Sequence, residues 1–217
     1  MPPSLSQRRP RLPTWLALAL LLLLLCAQAR PVDDPMDASV LARPGQGYTF
    51  SDLRLDSVDG ARHYQVWIAR PKTPAPANGY PVLYLLDGNA ALGALNAALL
   101  DDLARRPQPP VLVAVGYSGG KRLDGPGRAY DYTPTAPTSD RFRQMATGGA
   151  DVFLAWLLER LEPAVARQVP LDHTRRTLWG HSLGGLFVTH ALLTRPDAFA
   201  QGYAASPSLW WSPDALP

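Results

Sequence analysis

Cysteine is almost missing from this sequence: of 217 residues only Cys26 is one. A disulfide framework is excluded, so the fold must be held by its core alone. Charge is also scarce, at 18% of residues, and no run of one sign is long enough to mark a nucleic-acid surface or a disordered acidic tail. Internal repeats are absent, and the composition excludes collagen and coiled coil. What remains is 47% hydrophobic with 23 Pro and 17 Gly, an ordinary globular make-up rich in turn-formers, at a length of about one domain. The net charge of +3 does not belong to that domain. Arg8, Arg9 and Arg11 stand in an amino-terminal stretch without acids, and removing these three from 21 basic residues leaves 18 against 18 acidic ones. No nucleic-acid partner is expected.

The basic stretch opens a secretory signal pattern. Trp15 to Ala27 is an unbroken apolar run, and Ala27-Gln28-Ala29 offers small residues for cleavage before Arg30. As a helix the run reaches only about 20 Å, against about 30 Å of hydrocarbon, so a retained membrane anchor is the weaker reading. Twin-arginine and lipoprotein signals fit less well, since Pro10 and Arg11 follow the arginine pair and Leu25 precedes Cys26. The expected organisation is a signal peptide over 1–29, a linker over 30–47 and a domain over 48–217. Export to the periplasm or beyond, with no stable membrane span after cleavage, follows from it.

Within the domain the hydrophobic period changes. Residues 48–55 and 63–69 alternate around the turn signal Asp59-Gly60, which predicts an antiparallel pair. Residues 81–86 and 110–115 are continuous apolar runs, as in strands buried on both faces. Leucines at 92, 95, 99, 100 and 103 predict one helix, residues 116–138 a long loop, and 150–169 a second helix that Pro163 bends or restarts. A strand over 176–179, a helix over 182–194 and a further buried strand over 199–205 complete the alternation. This order predicts an α/β sheet that begins antiparallel, becomes mostly parallel, and carries its functional loops at the carboxyl ends of its strands.

One motif carries chemistry. Gly180-His181-Ser182-Leu183-Gly184 has the G-x-S-x-G pattern of a nucleophile elbow, following an apolar strand and opening a helix. Glycine on both sides points to crowding at a sharp turn with Ser182 held proud of it; the bland alternative is a turn with a capping serine. The Leu183 amide, at the helix amino end, is a candidate oxyanion donor, with Gly88 or Asn89 after the 82–86 strand as the second. Asp87-Gly88-Asn89 is otherwise a simple turn. The base is harder to find. His190 lies eight residues along the serine's own helix, roughly 12 Å away by rise, His181 sits inside the elbow, and His63 and His173 lie in an early strand and a loop. Asp197 falls in a helix-end turn, and Asp214 follows the serine at a distance. No triad is complete, and no motif calls for a metal or another cofactor.

YPVLYLLDGN (80–89), RAYDYTPT (128–135), GGADVFLAWLLERLEP (148–163), RTLWGHSLGGLF (176–187) and LLTRPDAFAQGYAASPSLWW (192–211) together resemble an esterase family. It includes esterase D-type hydrolases and the siderophore esterases that cut enterobactin-like and bacillibactin-like trilactones. The resemblance implies an α/β-hydrolase fold, Ser182 as nucleophile and hydrolysis of a carboxylic ester through an acyl-enzyme. It also implies that the last strands and the catalytic His lie beyond Pro217, so that this sequence is an incomplete member with an unprotected strand edge near 202–205. A ferric siderophore is the implied ligand. For so anionic a substrate Arg128, with Lys121 and Arg122, would supply cations, and Trp210 and Trp211 would stack on aromatic groups; each alone also reads as solvated surface or core. An acyltransferase on the same fold and a non-catalytic binding protein are the competing readings.

Overall fold

The computed structural model describes residues 34–138, 142 and 144–212. The signal pattern and Asp214 lie outside them. Six strands form one sheet: β1 (Tyr48–Asp56), β2 (His63–Pro71), β3 (Tyr80–Leu85), β4 (Val111–Tyr117), β5 (Leu171–His181) and β6 (Gln201–Ala205), in the order β1-β2-β4-β3-β5-β6. β1 pairs with β2, and β2 with β4, antiparallel; β4, β3, β5 and β6 are parallel neighbours. From β3 the chain passes first to β4 on one side and then to β5 on the other. The order therefore reverses at β3, and such a reversal opens a crevice at the carboxyl ends of the strands.

The continuous apolar runs are explained by the two faces they serve. Val66 and Ile68 of β2, Val82 and Tyr84 of β3, and Val111, Val113 and Val115 of β4 enter one core cluster; Trp67, Ala69, Leu85, Leu112 and Ala114 enter the other. Alternate residues of a strand point to opposite faces, so a sheet covered on both sides has no polar side to spare. Helices α5 (Ala150–Trp156) and α7 (Leu183–Thr194) contribute Phe153, Trp156, Leu186 and Phe187 to the first cluster. Val40, Leu92 and Leu100, from α1 (Ser39–Ala42), α2 (Gly88–Ala94) and α3 (Ala97–Ala104), fill the second.

Four departures from the sequence reading have local causes. The single helix expected over 92–103 is two, because Leu95 is extended and the Asn96 side chain caps α3 by accepting a hydrogen bond from the Leu99 amide at 3.0 Å. The expected loop over 116–138 contains α4 (Gly125–Asp131), capped by Asp124 on the Gly127 amide. The residues of the expected linker that are described are held to the domain: Val40 is buried, Met36 N–H donates to the Gly120 carbonyl, and the amides of Gln46 and Gly47 donate to Asp101. Finally, the strand near 199–205 stands at the edge of the described sheet, as expected for 202–205, but it is not buried: its side chains are largely exposed, with Phe199 before it in the core. Pro163 does mark a change of helix: a π-helical turn over Leu157–Leu161 leads into α6 (Glu162–Ala166). A wider turn there absorbs the ring and missing N–H that Pro163 brings.

Candidate active site

The elbow is where the sequence places it, between β5 and α7. Ser182 has φ 58° and ψ −115°, a left-handed backbone that a side chain rarely adopts. Among the described residues it is one of three non-glycine positions with positive φ, the others being Asp87 after β3 and Ser206 after β6. All three stand just past the carboxyl ends of adjacent strands, at the crevice, and strain of this kind gathers at functional sites. The crowding argument for the glycines holds on one side. A Cβ on Gly180 would lie 2.3 Å from the Gly184 carbonyl oxygen, whereas one on Gly184 would make ordinary contact with Leu86 at 3.6 Å.

The half-buried Ser182 hydroxyl meets Ser208 Oγ at 3.1 Å. Ser208 is drawn in by a backbone clasp: Ser182 N–H donates to the Ala205 carbonyl, and Ser208 N–H to the Ser182 carbonyl. No motif spacing singles Ser208 out, since its neighbourhood with Ser182 arises only when β6 pairs with β5.

The oxyanion candidates divide between two helix starts. Leu183 opens α7, so its N–H is among the first-turn donors that a helix leaves without an internal acceptor. Gly88 opens α2 in the same way, with its Cα pressed against β4 so closely that a Cβ would come within 2.7 Å of backbone atoms at 114–116. Asn89 follows it in the first turn of α2, so its N–H is a donor of the same kind, while its side chain donates to the Tyr117 carbonyl at 2.9 Å and accepts from the Tyr117 amide at 2.8 Å. It ties α2 to β4 with both side-chain polar atoms.

Arg128 does not stand free at a mouth. Its Nε and Nη2 each lie 2.9 Å from one oxygen of Asp87, in a bidentate pair with both side chains largely buried. Asp87 is also held through its N–H, which donates to the Tyr132 hydroxyl at 3.0 Å. Burial keeps that phenol well above the ordinary tyrosine range. Position 184 of the elbow adjoins this pair, because a Cβ there would lie 3.7 Å from Asp87 Oδ2. Arg128 thus fixes the strained turn that leads into Gly88, through a contact spanning 41 residues that no local pattern announces. Lys121 and Arg122 are exposed, on a loop joined to residues 34–36. A cavity of about 590 Å³, lined by Arg62, His63, Tyr117, Lys121 and Tyr130 among others, lies beside that loop; Ser182 does not line it.

The tryptophans also divide. Trp211 is 1% exposed, with its indole N–H donating to the Thr135 carbonyl at 2.9 Å, so it is core and has no face for a ligand. Trp210 is 61% exposed and stands 6.0 Å, ring to ring, from both Trp211 and Phe142. The histidines serve elsewhere. His63 pairs with Asp56, His173 with Glu162 and His190 with Asp151, while His181 is exposed. Among the described residues no histidine is bonded to Ser182. No described helix is long and apolar enough to cross a membrane.

A strained serine between strand and helix, at the carboxyl edge of a mostly parallel sheet with helices on both faces, defines a serine hydrolase of the α/β-hydrolase fold. The Esterase family model matches residues 57–216. This chain belongs to that esterase family. It is 44% identical to the apo-salmochelin esterase of Escherichia coli O6:H1, over 96% of this chain and 67% of that protein. To the ferri-bacillibactin esterase BesA of Bacillus subtilis it is 40% identical, over 73% of this chain and 58% of that one. Among solved structures, the enterobactin hydrolase IroE in complex with DFP superposes with a TM-score of 0.72 at 46% identity, covering 79% of this chain and 68% of that one. The chain spans about two thirds or less of the length of these relatives. Carboxylic ester hydrolysis is the activity of the family.

Proposed function

We propose that this protein opens the ester bonds of a siderophore trilactone through an acyl-enzyme on Ser182. The observation that carries the reading is the strained serine at the amino end of α7, in a chain 44% identical to an apo-salmochelin esterase. Ser182 Oγ attacks the ester carbonyl and passes its proton to a base, forming the Oγ–C bond. The carbonyl oxygen takes the negative charge and is met by the amides of Leu183 and of Gly88 or Asn89, at helix starts whose dipoles favour an anion. Collapse breaks the lactone C–O bond and releases the alcohol end, which takes up the proton. Water then repeats the sequence to free the acid.

Among the described residues no histidine is bonded to Ser182: His63, His173 and His190 pair with carboxylates, and His181 is exposed within the elbow. Arg128 acts indirectly, by holding the Asp87 turn, and Trp210 offers an aromatic face beside the crevice. A ferric catecholate is the substrate class, for which Lys121 and Arg122 are exposed cations on the loop after β4. The leader over 1–29 sends the protein to the periplasm or beyond. Relatives named as hydrolases favour water over an alcohol as the second acceptor, against the acyltransferase reading.

The test uses protein expressed from its full reading frame, with p-nitrophenyl butyrate and a catecholate trilactone as substrates. Ring-opened acid should appear by mass spectrometry, and Ser182→Ala should lower turnover by at least about 10³-fold. Unchanged turnover in that variant, or product formed only with an added alcohol acceptor, would overturn the proposal.

A further inference from the structure

We propose that Ser208 is a positioning residue for the nucleophile: its hydroxyl donates to Ser182 Oγ, aims it, and stabilises the charge that gathers there during attack. This rests on the reading of Ser182 as nucleophile. Each hydroxyl is the other's hydrogen-bond partner, at 3.1 Å, and Ser208 is 2% exposed, so no bulk water competes for its proton. A hydroxyl carries one donor and two acceptor sites, so Ser182 can give its own proton to a base while still accepting from Ser208. Ser208 keeps its proton throughout. Once Ser182 Oγ becomes an ester oxygen it is a poorer acceptor, and the contact weakens in the acyl-enzyme. Its favourable effect therefore falls on the attack rather than on the ground state that follows.

Donors act in this way when they cannot reorient, and Ser208 is fixed from both sides. Upstream, Ser206 takes a left-handed backbone and the Ser208 amide is bonded to the Ser182 carbonyl at 3.0 Å. Gly185 admits the loop, since a Cβ there would lie 3.0 Å from both the Ala205 carbonyl oxygen and Pro207 Cα. Downstream, Trp211 is buried, its carbonyl accepts from the Thr138 amide at 3.0 Å, and its indole is bonded to Thr135. The segment 205–211 is a clamp closed over the elbow, with Ser208 as its polar contact on the nucleophile.

The experiment is phosphonylation by a fluorophosphonate probe, followed by mass spectrometry and resolved into a binding constant and a maximal rate. Wild type, Ser182→Ala, Ser208→Ala and Ser208→Thr are compared, with the melting temperature of each. Wild type should be labelled at Ser182 and Ser182→Ala should not. Ser208→Ala should lower the maximal rate about tenfold with the binding constant unchanged, as expected for one hydrogen bond to a partly charged oxygen. Ser208→Thr, which keeps the hydroxyl, should recover most of that loss. An unchanged maximal rate in Ser208→Ala overturns the proposal, as does an equal loss in both variants with lowered melting temperatures, which would make Ser208 a packing residue. Absent labelling of wild type, or equal labelling of Ser182→Ala, would instead remove the nucleophile itself.

Discussion

At Ser182 the backbone and the side chain make opposite demands. The chemistry needs a hydroxyl, while φ 58° with ψ −115° is a conformation that glycine alone enters without cost. Strain of this kind costs of order 1–3 kcal/mol, against about 0.5–1 kcal/mol of unfolded-state entropy that separates glycine from alanine. Strain is the larger effect, so the usual ranking should invert: Ser182→Gly should be more stable than Ser182→Ala by about 1 kcal/mol, both having lost the same hydroxyl. Chemical denaturation of the two variants checks this, and an alanine variant equal to or above the glycine one would show that the elbow is not strained. Ser182 was legible because an elbow is a local object, five residues long and flanked by its own strand and helix. The partners of the site were not. Ser208 lies 26 positions away and meets Ser182 only through the β5–β6 pairing. Arg128 looked like a surface cation because nothing in RAYDYTPT reveals the Asp87 carboxylate waiting across the crevice.

Strands buried on both faces announce themselves by losing their polar alternation, and β3 and β4 are legible for that reason. The edge position of β6 agrees with the expectation for 202–205, but its exposure is not legible, because Gly202, Ala204 and Ala205 are small and apolar whether covered or not. In the described structure β6 pairs with β5 and with no other described strand, while Tyr203 is 56% exposed and Leu209 and Trp210 stand nearby in solvent. An edge with free ladder groups and an aromatic side chain is a template for a second strand. Protein made with these 217 residues should therefore self-associate, and Tyr203→Lys should shift it toward monomer, because a lysine on the edge charges the approaching pair. Light scattering across a dilution series reads the change. Equal association in the variant would move the sticky surface elsewhere, with the apolar Leu193 on α7 the next site to charge.

Across the whole molecule, the antiparallel entry and parallel continuation followed from element order alone, but the reversal at β3 depends on which neighbour each strand chooses, which single-strand patterns do not encode. One buried carboxylate joins several of these elements. Asp131, at the end of α4, accepts hydrogen bonds from Tyr64 of β2 at 2.9 Å and Tyr117 of β4 at 2.8 Å, and its Oδ1 lies 3.0 Å from Arg62 Nε, though poorly aligned for a hydrogen bond. Burial, the largest influence, pushes its carboxyl up to about 6, against the opposing pull of the two phenols and Arg62. The folded state thus binds a proton that the unfolded chain, titrating near 3.8, has already released. Unfolding free energy falls with pH wherever the folded state holds more protons, so this contribution is full below about pH 4 and lost as pH rises through about 6. The shift corresponds to on the order of 3 kcal/mol. Asp37, Asp59 and Asp172 are held below the usual range, chiefly by hydrogen bonds from Ser39, Ser57 and Thr174, so their losses begin as pH drops below about 4 and leave this window clear. Urea unfolding of wild type should accordingly show stability declining between pH 4.5 and 7 (about the span of the Asp131 titration). In Asp131→Asn, which keeps an acceptor for the phenols but cannot titrate, the same series should be nearly flat. Parallel slopes in the two proteins would mean that Asp131 is ionised throughout, with Arg62 outweighing its burial.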